Sequence, residues 1–273
     1  MLSNTVKGRL RPMRAIKLDA GFHGDPGRDP ESQALHSLTL PAPLHRHGRR
    51  AGTLRFNPDF VLEHQGFRVS LLGHETELQR QTTALITRMY TSRGLSSYVH
   101  SHELDTARST IIACRRAEVV GTLSLGLDNG QGLMAEVLYP EEIASVRQGG
   151  GRVCEITRLA MDPKSGSQDA LAGMVQILYV LITMVHDMTD IFIEVHPRHA
   201  GFYQHLLGYR IVGPQRICPR VNAPAVLLHL QRHRLDALIG HFADNPETGA
   251  HSFYRLFPTP DELRLLHFEL MQG

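Results

Sequence analysis

Cysteine is scarce and scattered. Cys114, Cys154 and Cys218 are the three thiols in 273 residues, far apart and with no CxxC among them. That argues against a disulfide framework or a cysteine zinc site and suits reduced core thiols in a reducing, cytoplasmic compartment. An excess of one charge is also lacking. Lys and Arg number 29 against 27 Asp and Glu, and the net +2 gives no electrostatic basis for nucleic-acid binding. No apolar h-region opens the chain, so no secretory signal is expected. Its first stretch carries Lys7, Arg9, Arg11, Arg14 and Lys17 with no acid before Asp19, which reads as a basic arm or a transit peptide. GxGxxG and GxxxxGK[ST] are both missing, which argues against a dinucleotide fold and a P-loop. One apolar run, "ALAGMVQILYVLITMVHDM" (170–188), has the length of a membrane span. It contains Gln176, His186 and Asp187 between close turn signals, so a helix buried in a soluble core is expected, with no integral membrane segment.

What is present reads as one α/β domain with tails. Residues 1–60 are rich in Gly, Pro, Arg and His without a sustained period and are expected to form a mostly disordered arm. His45 and His47 lie there, and nothing local supplies the further ligands a metal would need. The domain proper, 61–235, opens with an alternating strand at 66–72 and a helix at 74–94 that Gly94 stops. Two strands follow over 109–128 around a turn at Arg116–Glu118, then a short helix after Pro140. A strand at 152–163, ended by Pro163, leads to the long apolar helix 167–187, with Ser167 or Asp169 as its N-cap. "DIFIEV" (190–195) is almost wholly apolar and should be a central strand covered on both faces. Helix 199–207, ended by Gly208, precedes two more strands, and 236–273 reads as a loosely attached helical tail. This order builds a mixed central sheet flanked by helices.

In "IEVHPRHAGFYQHLLGY" (193–209), His196 and His199 stand three apart across a proline. They lack the shared helical face of an HExxH site, so no metal is expected. His196, Arg198 and His199 fall at a strand's C-terminal end, where open α/β sheets bind ligands.

The element order resembles the GNAT N-acyltransferase fold. Four stretches, "VVGTLSLGLDNGQGLMAEVLYPEEI", "VCEITRLAMDP", "IEVHPRHAGFYQHLLGY" and "RVNAPAVLLHL", together resemble the long-chain N-acyl amino acid synthases of the FeeM type. That family is similar to the acyl-homoserine-lactone synthases. The resemblance, over about 65–232, implies transfer of a fatty acyl group from acyl carrier protein to the α-amino group of an amino acid. The only participants implied are the two substrates, with no further cofactor.

Aminolysis of a thioester needs a base for the amine, donors for the oxyanion, and two substrates held together. Glu155, mid-strand, is the candidate base, since an isolated buried carboxylate is costly. Glu155 and Arg158 match an E-x-x-R motif of the lactone synthases. Strict alternation puts the two on opposite faces of a regular strand, so a pair between them needs a bulge. The resemblance also points to Arg88, in "TRMY", near the reaction centre, and to Tyr203 as proton donor to the leaving thiolate. Arg88 reads equally as a solvated helix residue and Tyr203 as a packed aromatic. The lactone synthases carry an arginine on the strand equivalent to "GTLSLGLD", which this stretch lacks.

Acetyl-CoA enzymes of the fold place an R/Q-x-x-G-x-G/A loop before the long helix, where N–H groups hold the pyrophosphate. Here "DPKSGSQD" (162–169) has Gly166 alone, which suits a donor without a nucleotide. Backbone N–H groups at Leu159, Ala160 and Met161 are the expected oxyanion and pantetheine contacts. Lys164 and Arg198 are either contacts for an acidic carrier or solvated charges, and His199 is placed with the substrate-binding residues. Met174, Ile177, Leu178 and Leu181 share one helical face, as core or as acyl slot. Two rival functions are a short-chain acetyltransferase using acetyl-CoA and a non-catalytic module that binds acyl carriers or amino acids.

Overall fold

The computed structural model describes residues 55–95, 108–128, 130, 132–244 and 253–272; the basic arm and the His45/His47 pair lie outside them. Nine strands form the sheet: β1 Leu62–His64, β2 Phe67–Leu71, β3 Arg108–Arg115, β4 Glu118–Leu127, β5 Val153–Met161, β6 Asp190–Val195, β7 Arg210–Ile211, β8 Arg216–Cys218 and β9 Ala223–Gln231. They run in the order β1-β2-β3-β4-β5-β6-β9-β7, with β8 also on β9. Every pairing is antiparallel except β5 with β6. Six α-helices flank the described sheet: α1 Thr76–Thr91, α2 Pro140–Gln148, α3 Gln168–Val180, α4 Pro197–Leu207, α5 Arg232–Asp244 and α6 Pro260–Leu270. This is the mixed α/β architecture expected.

The two faces of the sheet differ. On one, Val69, Ile111, Leu123, Leu125, Cys154, Ile191 and Ile193 pack against α3 in the main core. Met174, Ile177, Leu178 and Leu181 are all buried in that cluster and form core on this face. Ser167 caps α3 as expected, its Oγ accepting from Ala170 N–H at 3.3 Å. The helix then widens into a π turn at Leu181–Val185. Its run Gln168–Val185 is long and apolar enough to cross a membrane, and 61% of it is buried inside the fold.

The opposite face carries two separate apolar clusters. Leu85, Ile86 and Met89 of α1 sit on Ile112, Val119 and Ala160. Leu133, Ala135, Tyr139 and Ile143, from α2 and the 3₁₀ turn Met134–Val137 before it, sit on Val153, Phe192 and Leu227. Along β5, Val153 belongs to the second cluster and Ala160 to the first. Glu155 and Thr157 alternate between them on the same face, so the gap between the clusters is polar.

Order begins before residue 66. Phe60 is in the main core, and β1 pairs with β2 through the turn at Gln65–Gly66, both with positive φ. Helix α4 starts at Pro197 instead of residue 199, because proline suits the first helical turn and His196 Nδ1 accepts from Arg198 N–H at 3.2 Å. Gly208, at φ +73°, closes the helix in the left-handed conformation. The C-terminal segment is helical but not loosely attached: Leu263, Leu266 and Leu270 of α6 are buried in the main core.

Candidate active site

β5 and β6 pair over only three steps, Val153 with Asp190, Cys154 with Ile191, and Glu155 with Phe192. Beyond that both strands continue, β5 to Met161 and β6 to Val195, without pairing to each other. The sheet therefore splays open, and Glu155 sits at the apex. Just past the apex β5 bulges. Thr157 is opposite Ser124 and Ala160 opposite Thr122, so Arg158 and Leu159 together face the single residue Leu123. Arg158 takes φ +55°, a left-handed conformation that the bulge accommodates. Leu159, Ala160 and Met161 follow on the stretch of β5 whose β6 side is open.

Glu155 is 2% exposed and has three partners. Its Oε1 accepts from Met134 N–H at 2.9 Å and lies 2.7 Å from Arg108 Nη1, while Oε2 accepts from Ala135 N–H at 3.1 Å. The 3₁₀ turn thus points its orphan N–H groups at the carboxylate, which favours negative charge there. Arg220 holds the same turn from its carbonyl side. Its Nη1 donates to Met134 O at 2.6 Å and its Nη2 to Glu194 at 2.8 Å. A carboxylate oxygen accepts about two bonds, so Oε2 keeps one acceptor position.

Arg108 reaches Glu155 across a glycine. Arg108 is opposite Gly126 in β4, and Gly126 is opposite Glu155 in β5. A Cβ at residue 126 would overlap the guanidinium and approach Glu155 Cγ to 3.1 Å. One step along, Thr110, Ser124 and Thr157 form a parallel row. Thr110 and Ser124 share a hydrogen bond of 2.9 Å, and Thr157 Oγ1 is buried with no hydrogen-bond partner among the described residues.

The other expected residues lie on α1, on the loop after β5 and on α4. Arg88 of α1 is ion-paired to Asp162, at the end of β5. Asp162 in turn winds the following loop around itself. Its Oδ1 accepts from the N–H groups of Lys164 at 2.9 Å and Ser165 at 3.0 Å, and its carbonyl from Gly166 N–H at 2.8 Å. Burial would raise the Asp162 carboxyl, but these donors and Arg88 outweigh it and hold the group below its ordinary range. Across the opening stands α4. Tyr203 packs edge-on to Phe202 and Tyr209, and burial pushes its phenol up to about 12, against a lowering influence of Arg93. His199 accepts from Arg198 Nε at 3.1 Å. Burial first, then Arg93, Arg198 and His196, push it down to about 4, so its imidazole is neutral at pH 7.

Glu155 thus sits at the apex, Arg88 and Lys164 are tied to Asp162 at the end of β5, and Arg198, His199 and Tyr203 belong to α4. Arg158 lies in the bulge after Glu155 and is buried. The ion pair at Glu155 comes from Arg108, a residue the motif did not indicate. Gly126, a glycine inside a strand, marks a close approach by another group without naming which one. The cysteines stay out of the chemistry: burial pushes all three thiols up.

A sequence model described as N-acyl amino acid synthase FeeM matches residues 81–231, more than half of the chain. Among solved structures the chain is similar to FeeM, an N-acyl amino acid synthase from uncultured soil microbes, at 21% identity and a TM-score of 0.53, covering 65% of this chain and 96% of that one. It is also similar to the aminoglycoside 6'-acetyltransferase type Ii, at 15% identity and TM-score 0.42 over 60% of this chain and 96% of that one. The AHL synthase LasI follows at 16% and 0.44, over 60% and 89%. No curated protein matches the sequence.

Proposed function

The chain belongs to the N-acyl amino acid synthase FeeM family and is an N-acyltransferase, and from that premise we propose that it moves a long-chain fatty acyl group from acyl carrier protein to the α-amino group of an amino acid. The transfer is direct, with Glu155 as base and no acyl-enzyme intermediate. The observation that carries this reading is the buried carboxylate of Glu155 at the apex where β5 and β6 part. A thioester laid along the open side of β5 meets the N–H groups of Leu159 and Met161, while strand alternation turns the Ala160 N–H toward β4, and an amine arriving at the apex meets Oε2.

The amine attacks the thioester carbonyl and its proton passes to Glu155. Charge gathers on the carbonyl oxygen, which the backbone donors stabilise. The C–S bond then breaks, the amide is released, and the thiolate takes a proton from Tyr203. Arg158 fixes the bulge that turns β5 away from β6, and Arg88 fixes the Asp162 loop.

The donor assignment is supported by that loop. In an acetyl-CoA enzyme, N–H groups before the long helix hold a pyrophosphate. Here the N–H groups of Lys164, Ser165 and Gly166 are all taken up by Asp162. A carboxylate already fills the position, which disfavours a nucleotide and leaves a donor whose affinity comes from the carrier. Lys164 and Arg198 supply the positive charge for an acidic carrier surface, in the cytoplasm where such carriers are charged, and His199 contributes as a neutral substrate contact.

Expression in a bacterium should yield new organic-extractable N-acyl amino acids by mass spectrometry. Glu155→Gln should lower turnover by about 10²–10⁴, the range for lost acid–base catalysis. Extracts identical to an empty-vector control, together with acetyl transfer from acetyl-CoA in vitro, would replace this reading with the short-chain one.

A further inference from the structure

At the other end of β6, away from the splay, Gly208, Arg210, Val212, His229, Gln231 and Arg234 line a cavity of about 170 Å³. Three features there leave positive charge without a protein partner, Arg210 and Gln231 being exposed to solvent. Arg210 and Arg234 both line it, burial and then the Arg210 charge disfavour the charged form of Arg234, and among the described residues neither has an ion pair or hydrogen bond from its side chain. Arg234 also lies in the first turn of α5, "RHRL", which has no acid, although the helix N-terminus is the positive end of its dipole. The neighbouring Arg232 is neutralised, by Asp187 at 2.7 Å and Asp236 at 3.7 Å, so the uncompensated charge is confined to the cavity.

The wall is prearranged. His229 Nε2 is 2.7 Å from Asp190 Oδ1, whose other oxygen accepts from Thr189 at 2.6 Å, and Phe192 stacks on the ring at 4.6 Å.

We propose that this cavity binds a small phosphate dianion, either free or as a monoester. Two unneutralised guanidinium groups match a charge of −2, and their planar forks with the Gln231 amide suit three or four oxygens on one centre. The site is distinct from the acyl-transfer cleft. His229 of the cavity wall is opposite Phe192 and Phe192 is opposite Glu155, so the cavity lies two strand spacings, roughly 10 Å, from the apex of the cleft. It is not a second donor pocket. Phe192 connects the two, since it stacks on His229 and is also the last partner of Glu155 in the β5–β6 ladder.

The test is isothermal titration of the full chain with inorganic phosphate and, separately, glycerol 3-phosphate, at constant ionic strength set with chloride. Saturable binding of phosphate is expected. Arg234→Gln and Arg210→Ala should each weaken it about tenfold or more, as expected for a lost charged hydrogen bond. Arg264→Ala, at an exposed arginine of α6, should leave it unchanged. Binding of both ligands identifies a monoester pocket, and binding of phosphate alone identifies a site for the free anion. No saturable heat from either ligand at millimolar concentration overturns the proposal. So does equal affinity in Arg234→Gln when that variant melts like the parent in chloride.

Discussion

Arg108 and Glu155 meet only because Gly126 lies between them in the row that crosses β3, β4 and β5. Gly126→Ala places a methyl group where the guanidinium now rests and should expel Arg108 from the row. Glu155 would keep its two backbone donors but lose its counter-charge while still buried. A broken buried ion pair costs about 3–5 kcal/mol, and the remaining N–H bonds favour the lower end of that range. Urea unfolding should therefore show a loss of about 3 kcal/mol, with acyl transfer falling in parallel. A variant with unchanged stability and rate would remove Arg108 from its role. The carboxylate itself was legible in "CEITR", because a glutamate flanked by apolar residues in a strand has to be justified by partners. Its partner was not legible. The E-x-x-R spacing draws attention to Arg158, three residues away, whereas the register of two other strands brings in Arg108, 47 positions upstream.

At the scale of elements, β1 is joined to α3 through a buried histidine. His64 is 6% exposed, its Nε2 has no hydrogen-bond partner among the described residues, and its ring lies over Gly173. Burial lowers its affinity for a proton, with Asp169 acting in the opposite direction. The unfolded imidazole titrates near its ordinary 6.5. Below that pH the unfolded chain binds a proton that the folded chain refuses, so stability is full above pH 6.5 and declines as pH falls toward the depressed folded value. Melting temperatures should drop between pH 7 and pH 5, and His64→Gln should flatten part of that slope. An unchanged slope would mean that other groups set it, His186 and His199 being shifted in the same direction. The long periodic elements were legible, because burial of one face imposes a period on the sequence. β1, β8 and the 3₁₀ turn Met134–Val137 were not. They span three, three and four residues, too few for a period to show.

For the molecule as a whole, the described chain ends meet. Asn57 N–H donates to Leu270 O at 2.8 Å, and Leu270 is fully buried in the main core. Leu270→Ala should cost about 2–4 kcal/mol in urea unfolding, the usual range for a leucine removed from a packed core. A loss near zero would mean that α6 docks without contributing to the core. Its composition alone suggested a loose tail, since "DELRLLHFEL" is as polar as it is apolar. The stripe Leu263, Leu266 and Leu270 joins the main core against α3, more than 70 residues away in sequence.

The sequence by itself determined the class of the fold, the family and the position of the buried carboxylate proposed as the base. These rest on local properties: hydrophobic period, caps such as Ser167 and Gly208, and a glutamate placed in a strand. Tertiary structure alone decided where β5 leaves β6, that Arg158 occupies a bulge, that Arg108 reaches Glu155 over Gly126, and that Asp162 consumes the N–H groups of its own loop. Each of these depends on which residues of distant strands stand opposite one another. Period-2 patterning fixes the face a side chain occupies but not its neighbour across the ladder, and the register that supplies the neighbour exists only once the whole sheet has formed.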